Sequence, residues 1–346
     1  MKNLVFLDKT ACLITDNLTR SYLTDTSVDE GYLIIAGGKA CCFTDARYFA
    51  QAKPQLEKKG IETKLFTDLS DIKEYLIGLG VIELKIDFSR TTVKEYNEYL
   101  GFGLKITDCE EQLSVLRSIK TDAEIELIKT ACDIAQKAYY EAMATVKAGI
   151  SEKQLKECIE SNICRLGGDG PSFETIVAFG ANAAVPHHTT GDTVLKNNQA
   201  ILVDMGAKYK GYCSDLTRTA FFGTPDKKFL DAYDAVLNSN LIATSSIKAG
   251  DLTDHADGYA RNYLEERGYK EKFTHSLGHG VGLEIHEYPT LSPKRKQVLN
   301  KNMTFTIEPG VYFDGEFGIR IEDTVLLTEK GVQRLFTDDK ALKIYG

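Results

Sequence analysis

The sequence predicts two domains, an α/β domain over residues 1–116 and an α+β domain over residues 117–346. A chain of 346 residues is longer than one hydrophobic core usually organises. In its first third, short apolar runs alternate with segments of helical periodicity, which is the pattern of an α/β domain. The rest opens with long amphipathic helices and continues with strand-like runs in hairpin arrangement, which favours an α+β domain.

The composition indicates a water-soluble protein of a reducing compartment. Acidic residues outnumber basic ones by 50 to 42, and the resulting net charge of −8 argues against a nucleic-acid partner. No apolar run approaches the roughly 18 residues of a membrane span, and the N-terminal apolar stretch is too short for a secretory signal. The eight cysteines form no C-x-x-C pair and are interpreted as buried small side chains. We therefore expect a cytoplasmic protein that binds neither nucleic acid nor membrane.

The first domain contains no cluster of chemistry-bearing side chains. Apolar runs predict strands at 12–15, 32–35, 40–43 and 81–86, and helical periodicity covers 48–59, 70–79 and 92–100. Gly37 and Gly38 form a hairpin-turn signal between two of the strands. Asp45 and Arg47 are interpreted as a structural pair at a strand end. We expect this domain to shape or cover a site rather than perform chemistry.

The second domain opens with a capping box. Thr121 precedes Glu124 by three residues, which predicts a helix that begins there and continues to Gly149. Ser151 is the predicted cap of a helix that runs toward Cys164. Two more helices are predicted over 226–247 and 253–267. These helices are expected to form an outer layer over a sheet.

The segment from Ala200 to Gly223 is predicted to be a hairpin that carries two aspartates. With a two-residue loop at Tyr209-Lys210, Asp204 would face Asp215. Facing side chains have Cβ atoms about 4.5–5.5 Å apart, and two like charges at that distance are destabilising. This geometry indicates a cation between them.

Three further segments supply polar side chains to the same site. In the run from Thr274 to Glu287, glycines around His279 and His286 predict an extended segment that directs both imidazoles into one cavity. Strands at 303–308 and 318–324, with a loop centred on Gly315, would place Glu308 opposite Glu322. The loop Pro186-His187-His188 precedes the aspartate hairpin and is expected to line its site.

The candidate metal ligands are four carboxylates and one imidazole. They are Asp204, Asp215, His279, Glu308 and Glu322. This donor set suits Mn²⁺, Co²⁺, Fe²⁺ or Zn²⁺ better than a thiolate site would. Five ligands exceed what one catalytic ion needs, so we expect two ions about 3.5–4 Å apart.

Five motifs carry a resemblance to a known family. They are PHH at 186–188, VDMGAKYKGYCSDLTRT at 203–219, SLGHGVGLEIHE at 276–287, TIEPGVY at 306–312 and GIRIEDT at 318–324. In this order they resemble the pita-bread metallopeptidases, in the branch of Xaa-Pro aminopeptidase and Xaa-Pro dipeptidase (prolidase). The match covers residues 117–346, which would form an α+β pita-bread catalytic domain. Residues 1–116 resemble the creatinase-like N-terminal α/β domain of that branch.

The resemblance implies a role for each candidate ligand. Asp215 and Glu322 would bridge the two ions, and Asp204 would bind one of them. His279 and Glu308 would bind the other ion. Glu308 would also accept a proton during catalysis.

The resemblance also implies substrate contacts. His187 and His286 would bind the substrate carbonyl and stabilise the tetrahedral intermediate, as donors of this kind typically contribute about 10²–10³ in kcat. His188 is the alternative to His187, which directly follows the proline of the motif. Arg320 precedes Glu322 by two residues and would anchor either a ligand carboxylate or the substrate on its C-terminal side.

The implied activity is hydrolysis of the bond between an N-terminal residue and a following proline in proline-containing peptides. We favour an aminopeptidase over a dipeptidase, and the resemblance further implies a homodimer. Mn²⁺ is placed first as the metal, with Co²⁺, Zn²⁺ and Fe²⁺ as alternatives. The alternative from another class is a non-catalytic binding protein of the same fold, against which the five intact ligand positions argue. Creatinase-type chemistry is disfavoured because it lacks this metal set.

Overall fold

The computed structural model describes Leu4, Phe6 and residues 9–26 and 30–346. The chain forms two compact units, Met1–Leu116 and Arg117–Gly346. Within the described ranges, no helix has both the length and the apolar character needed to cross a membrane.

The first unit is an α/β domain, as predicted. Its described strands are β1 Thr10–Ile14, β2 Tyr32–Ala36, β3 Lys39–Thr44, β4 Glu62–Leu65, β5 Glu83–Ile86 and β6 Lys105–Asp108. They form one sheet in the order β4-β3-β2-β1-β5-β6, in which only the β1–β2 and β2–β3 pairs are antiparallel. The helices are α1 Asn17–Thr24, α2 Ala46–Glu57, α3 Leu69–Gly78, α4 Val93–Leu100 and α5 Glu110–Ser118.

The predicted pair of Asp45 and Arg47 is present at the end of β3. The Asp45 carboxylate accepts a hydrogen bond from the Arg47 backbone N–H (2.8 Å) and lies 2.5 Å from the Arg47 guanidinium. Asp45 is therefore the N-cap of α2, which begins two residues before the predicted start at 48. The pair is exposed and contributes to helix capping.

The second unit contains four α-helices and fourteen strands in its described residues. The helices are α6 Asp122–Met143, α7 Glu152–Arg165, α8 Lys227–Ser246 and α9 Thr253–Glu266. The first strands are β7 Gly170–Pro171, β8 Ile176–Phe179, β9 Gln199–Met205, β10 Ala207–Tyr209, β11 Tyr212–Cys213 and β12 Leu216–Phe222. The others are β13 Gly278–Gly280, β14 Glu287–Leu291, β15 Thr304–Ile307, β16 Gly310–Phe313, β17 Phe317–Arg320, β18 Asp323–Thr328, β19 Gly331–Arg334 and β20 Ile344–Tyr345.

Helix α6 begins as the capping box predicts and ends earlier than predicted. The Thr121 backbone N–H donates to the Glu124 carboxylate (2.8 Å), and the Thr121 hydroxyl accepts from the Glu124 N–H (3.4 Å). The helix ends at Met143 rather than at Gly149. The Thr145 hydroxyl donates to the Ala142 carbonyl oxygen (2.7 Å), and such a side chain competes with the helical backbone.

Two sheets, each covered by a pair of helices, make up most of the second unit. One has the strand order β20-β12-β9-β8 and the other β14-β13-β15-β18-β19. Apolar side chains of α6 and α7 share one buried cluster with β8, β9 and β12. Those of α8 and α9 share a second cluster with β15 and β18. The predicted outer helical layer is confirmed.

The first predicted hairpin register is wrong by two residues. Asp204 faces Thr217, not Asp215, and Asp215 lies just before β12. The turn is at Lys210-Gly211 instead of Tyr209-Lys210, with Tyr209 opposite Tyr212. Both turn residues have positive φ (47° and 84°), which the usual two-residue hairpin turn requires.

The second predicted hairpin register is correct. Ile307 pairs with Asp323 and Gly310 pairs with Arg320, and both pairs are centred on position 315. Glu308 and Glu322 are therefore aligned with each other at the interruption between these paired segments. Pro309 lacks a backbone N–H, which explains why the ladder is interrupted there.

Candidate metal centre

All five predicted ligand residues lie where strands end or break. Asp204 is near the end of β9, and Asp215 immediately precedes β12. His279 is the middle residue of β13, Glu308 follows β15, and Glu322 precedes β18. The Glu322 backbone N–H donates to the Thr217 carbonyl oxygen (3.1 Å), which joins the two sheets at this point. The side chains consequently converge from both sheets.

The structure brings these side chains together around His279. Asp215, His279 and Glu322 each offer a ligand atom, and these atoms lie within 4.8 Å of one another. The His279 Nε2 atom is 3.5 Å from Asp215 Oδ2 and 3.3 Å from Glu308 Oε1. Asp204 pairs with Thr217 across the sheet, and the Thr217 hydroxyl donates to Glu322 Oε2 (2.5 Å), so Asp204 lies beside the same group. The described structure therefore contains the whole predicted set in one cluster.

Burial makes this cluster unfavourable for negative charge. Burial, followed by repulsion from neighbouring carboxylates, raises the pKa of Asp215 and of Glu322 well above their usual range. Burial raises the pKa of Glu308 to about 7. The pKa of His279 is lowered by burial, so its imidazole is neutral and available as a ligand.

A divalent cation fits the donors that are present. The Asp204 Oδ1 atom is buried and accepts no hydrogen bond from the described residues. Buried carboxylate oxygens need a hydrogen-bond donor or a cation, and oxygen donors with one imidazole suit borderline and hard divalent ions. A cation would also reverse the electrostatic cost of placing the other carboxylates beside Asp204.

Threonine hydroxyls orient two of the carboxylates, and sequence reasoning missed them. Thr217 donates to Glu322 Oε2 (2.5 Å), and Thr306 donates to Glu308 Oε1 (3.0 Å). The Thr306 hydroxyl also accepts from the His279 backbone N–H (3.0 Å), so it contacts two candidate ligands. Thr306 precedes Glu308 by two residues, and this same-face spacing is the signal that could have found it.

Asp323, the neighbour of Glu322, holds the start of β18 in place. Its carboxylate is fully buried and contacts Arg218 (2.8 Å), Arg334 (2.9 Å) and Lys340 (2.8 Å). Burial alone would raise its pKa, but these three cations lower it below the usual range. Asp323 therefore stays ionised and is engaged away from the candidate ligand set.

The two candidate substrate histidines border this cluster. The His286 ring packs edge-on against the His279 ring, with centroids 4.2 Å apart. Burial, then the neighbouring His279 and His187, lowers the pKa of His286. His187 lies in a turn and is exposed. His188 instead contacts the buried Glu152 carboxylate, with Nε2 3.0 Å from Oε2.

Arg320 is buried beside the candidate ligands. Its guanidinium lies 2.5 Å from Asp204 Oδ2 and donates to the Thr217 hydroxyl (3.1 Å) and the Tyr312 hydroxyl (2.9 Å). Burial opposes its charge, but Tyr312 and the surrounding carboxylates raise its pKa above the usual range. The Tyr312 hydroxyl also contacts His275 Nε2 (2.9 Å). Sequence reasoning missed Tyr312 and His275, because no spacing rule connects them to Arg320.

Comparisons with known families agree with this architecture. The model of Metallopeptidase family M24 matches residues 126–329, and the model of the Creatinase/Prolidase N-terminal domain matches residues 8–119. The chain belongs to metallopeptidase family M24 and has a creatinase-type N-terminal domain followed by the pita-bread catalytic domain. It is an enzyme of the class whose members use divalent metal ions for peptide hydrolysis.

The chain is similar along nearly its whole length to Xaa-Pro peptidases. It is 36% identical to an Xaa-Pro dipeptidase of Pyrococcus furiosus over 93% of this chain and 91% of that one. The solved Xaa-Pro dipeptidase from Bacillus anthracis has a TM-score of 0.92 and 34% identity, with 96% and 94% of the two chains covered. The X-Pro aminopeptidase from Thermotoga maritima MSB8 has a TM-score of 0.86 and 31% identity, with 97% of each chain covered.

Proposed function

We propose that this protein is a dinuclear-metal exopeptidase that cleaves the bond between an N-terminal residue and proline. The observation that carries the proposal is the convergence of four carboxylates and a neutral imidazole at the junction of two sheets. The similarity to Xaa-Pro peptidases over more than nine tenths of the chain supports the substrate class.

In this proposal the five clustered residues bind two divalent ions. Asp215 and Glu322 would hold both ions, Asp204 would bind one of them, and His279 with Glu308 would bind the other. Asp215, Glu322 and His279 offer ligand atoms within 4.8 Å of one another, which supports binding of a cation among them. Mn²⁺ is our first choice and Co²⁺, Zn²⁺ and Fe²⁺ are alternatives, since the donor set suits each of them. When bound, such ions lower the pKa of water and polarise a carbonyl group.

Glu308 is the proposed proton acceptor. Its Oε1 atom lies 3.3 Å from His279 Nε2, among the residues that would hold the ions, so the carboxylate is next to the place where bound ions would activate a water molecule. The hydrogen bond from Thr306 to Oε1 fixes one carboxylate oxygen and leaves the other to take the proton of the attacking water. Glu308 then returns this proton to the leaving proline nitrogen.

His187 and His286 are the proposed donors to the substrate carbonyl oxygen. The pKa of His286 is lowered, so a neutral ring with one N–H is available at physiological pH. His187 is preferred over His188, because the ring of His188 is engaged by Glu152. Arg320 is proposed to contact the substrate on its C-terminal side, and its place beside Asp204 and Tyr312 supports a position next to the reacting bond.

Proline selection follows from the chemistry of the substrate. An Xaa-Pro bond has no N–H and proline has a fixed φ, so a pocket shaped for the ring excludes residues that retain this donor. We first assign an aminopeptidase that accepts longer peptides. A dipeptidase is the second candidate, and the names of the similar proteins from Pyrococcus furiosus and Bacillus anthracis favour it. A cytoplasmic homodimer remains our prediction for the assembly and its location.

The proposal is tested by assays of Mn²⁺-loaded protein on Ala-Pro, Ala-Pro-Ala and the proline-free control Ala-Ala-Ala. We expect cleavage of the first two substrates only, with loss of activity after chelation and recovery when Mn²⁺ or Co²⁺ is added. A kcat/KM for Ala-Pro far above that for Ala-Pro-Ala would replace the aminopeptidase by the dipeptidase. Full activity of verified metal-free protein, or cleavage of neither proline substrate, would refute the proposed function.

A further inference from the structure

Four charged side chains, three of them largely buried and one partly exposed, form a cluster next to the segment that carries His286. The Arg117 guanidinium lies 2.5 Å from Glu284 Oε2 and 2.9 Å from Glu287 Oε2, and the Lys120 ammonium contacts Glu287 Oε1. The Lys120 side chain is 1% exposed and that of Glu287 is 6% exposed. We call these residues, Arg117, Lys120, Glu284 and Glu287, the charge clamp.

The charge clamp joins two distant parts of the second unit. Arg117 and Lys120 precede α6, whereas Glu284 lies in the connection between β13 and β14 and Glu287 is the first residue of β14, so the two glutamates bracket His286. The Lys120 backbone N–H donates to the Asn302 carbonyl oxygen (2.8 Å), so the cationic side of the clamp is anchored by its main chain as well. The clamp therefore fixes the segment on both sides of His286.

The segment packs closely around the Glu287 carboxylate. A Cβ atom at Gly282 would lie 2.2 Å from Glu287 Oε1, so a larger residue at this position would displace the carboxylate from its present place. The Gly282 carbonyl oxygen accepts from the Cys213 backbone N–H (2.7 Å), and the Val281 N–H donates to the Thr304 carbonyl oxygen (3.1 Å). These contacts fix the main chain of the segment, and the charge clamp fixes the side chains of Glu284 and Glu287.

Buried ion pairs are a weak source of net stability, since desolvation offsets most of their attraction. Their directional contacts nevertheless restrict where the groups that carry them can lie. Glu287 is the residue directly after His286, and its carboxylate is bound by two cations at once. A displacement of Glu287 therefore also moves the main chain of His286.

We propose that Arg117, Lys120, Glu284 and Glu287 are positioning residues for His286. This proposal rests on the proposed function, in which His286 donates to the substrate carbonyl oxygen. The clamp holds the imidazole at its edge-on contact with the His279 ring, where centroids are 4.2 Å apart. The clamp residues themselves take no part in metal binding or proton transfer.

The first test is Glu287→Gln in Mn²⁺-loaded protein, which keeps the shape and weakens the pairing with both cations. Since displacement of about 1 Å costs up to about 10²-fold in rate, we expect kcat to fall about tenfold. KM is expected to change less than about twofold, because the interaction acts in the transition state. Metal content should be unchanged. The matched control is Glu126→Gln, which breaks the exposed pair with Lys129 (2.7 Å) and should leave kcat unchanged.

A double-mutant cycle separates positioning from general stability. If the clamp acts through His286, Glu287→Gln should lower kcat no further in a His286→Ala background. Equal, multiplicative losses in both backgrounds would overturn the proposal, as would loss of metal from Glu287→Gln alone. If Glu287→Gln does not fold, Glu284→Gln replaces it, because the Glu284 side chain is 27% exposed and also contacts Arg117.

A measurement that needs no turnover distinguishes failure of the clamp from failure of the proposed function. The chain has six histidines, so ¹⁵N-histidine NMR of the Zn²⁺-loaded protein can assign the His286 ring by its loss in His286→Ala. Glu287→Gln should shift or broaden the His286 signals and leave those of His275 unchanged, and Arg117→Lys should have a smaller effect. Unchanged His286 signals in Glu287→Gln would overturn the clamp, even if the peptidase assay succeeds.

Discussion

Two segments carry the proposed carbonyl-binding histidines, and the structure holds them by different means. The His286 segment is bound by the cations Arg117 and Lys120 through Glu287. The His187 segment is held by the Glu152 carboxylate, which has 0% side-chain exposure and lies in the first turn of α7. A negative charge at a helix N-terminus is favoured by the helix dipole.

The Glu152 carboxylate is satisfied by hydrogen-bond donors from its surroundings. It accepts from Asn182 Nδ2 (2.8 Å), His188 Nε2 (3.0 Å) and the backbone N–H groups of Phe179 (2.9 Å) and Gly191 (3.1 Å). These contacts bracket His187 on both sides along the chain. The His286 segment is thus fixed by paired charges, whereas the His187 segment is fixed by a helix terminus and several hydrogen-bond donors. Two different sets of interactions therefore position the two histidines.

The largest expected effect is a loss of kcat, and it tests whether His187 and His286 both donate to the same substrate oxygen. His187→Ala and His286→Ala should each lower kcat about 10²–10³-fold and keep their metal, because each removes one donor to the developing charge. His279→Ala should lose metal, since it removes a proposed ligand. Metal analysis and steady-state kinetics on all three variants check this. Equal metal loss in His187→Ala and His279→Ala would contradict the assignment.

The next effect measures how strongly the His187 segment depends on Glu152. Glu152→Ala should reduce the free energy of unfolding by about 3 kcal/mol, since it leaves several buried donors without an acceptor. Asn182→Ala removes one of these donors and should cost only about 1 kcal/mol. Urea unfolding followed by circular dichroism measures both. Equal losses in the two variants would mean that Glu152 is not the centre of this network.

The smallest effect is a pH dependence of stability that is carried by His275, which is connected to the His187 segment through Tyr312 and Arg320. Arg320 donates to the Pro186 carbonyl oxygen (3.4 Å) and to Tyr312, which contacts His275. Burial, then Arg320, lowers the pKa of His275 to about 3 from its usual 6.5. As the pH falls, His275 is protonated in the unfolded chain before it is protonated in the folded protein. The contribution of neutral His275 to the free energy of unfolding is therefore complete above pH 6.5 and is lost as the pH falls toward 3.

His275→Gln should make the free energy of unfolding depend less on pH. Between pH 7 and pH 5, the change in the free energy of unfolding of chelated protein should be less destabilising in the variant than in wild type, by at most about 1.4 kcal/mol per pH unit, because the opposite contributions of the buried carboxylates are common to both proteins. Chelation of both proteins removes metal binding from the comparison. Identical decreases in the two proteins would show that His275 does not carry the dependence.

The two hairpins show what the sequence could predict. The centre at Gly315 was correct because an Asp-Gly pair and flanking alternating strands specify one register. The turn of the first hairpin lies one residue beyond the predicted position, which changes the partner of Asp204 by two, because Lys210 adopts positive φ (47°), a conformation in which lysine is uncommon. The five candidate ligands are the same in either register, because they follow from residue types and motif order and not from which residue faces Asp204.

The groups that hold the site could not be predicted from local patterns. Arg117 and Glu287 are 170 positions apart, and Arg218 and Asp323 are 105 apart. Such pairs are defined by the tertiary fold, and spacing rules for helices and strands extend over only a few residues. The chemistry-bearing residues were predictable because they occur in short motifs, whereas their supports are dispersed along the chain.

The separation of the candidate ligands between two sheets has a consequence for how the chain folds. Asp204 and Asp215 belong to the segment around β9 and β12, whose apolar cluster includes α6 and α7. Glu308 and Glu322 belong to the segment around β15 and β18, whose apolar cluster includes α8 and α9. Contacts between segments so distant in sequence form late in folding, because closing a long loop loses conformational entropy before the contact can contribute any stabilisation. The complete ligand set therefore exists only after both halves have folded and docked, and a cation that binds it selectively stabilises the assembled unit, by about 2.7 kcal/mol at a hundred times its Kd.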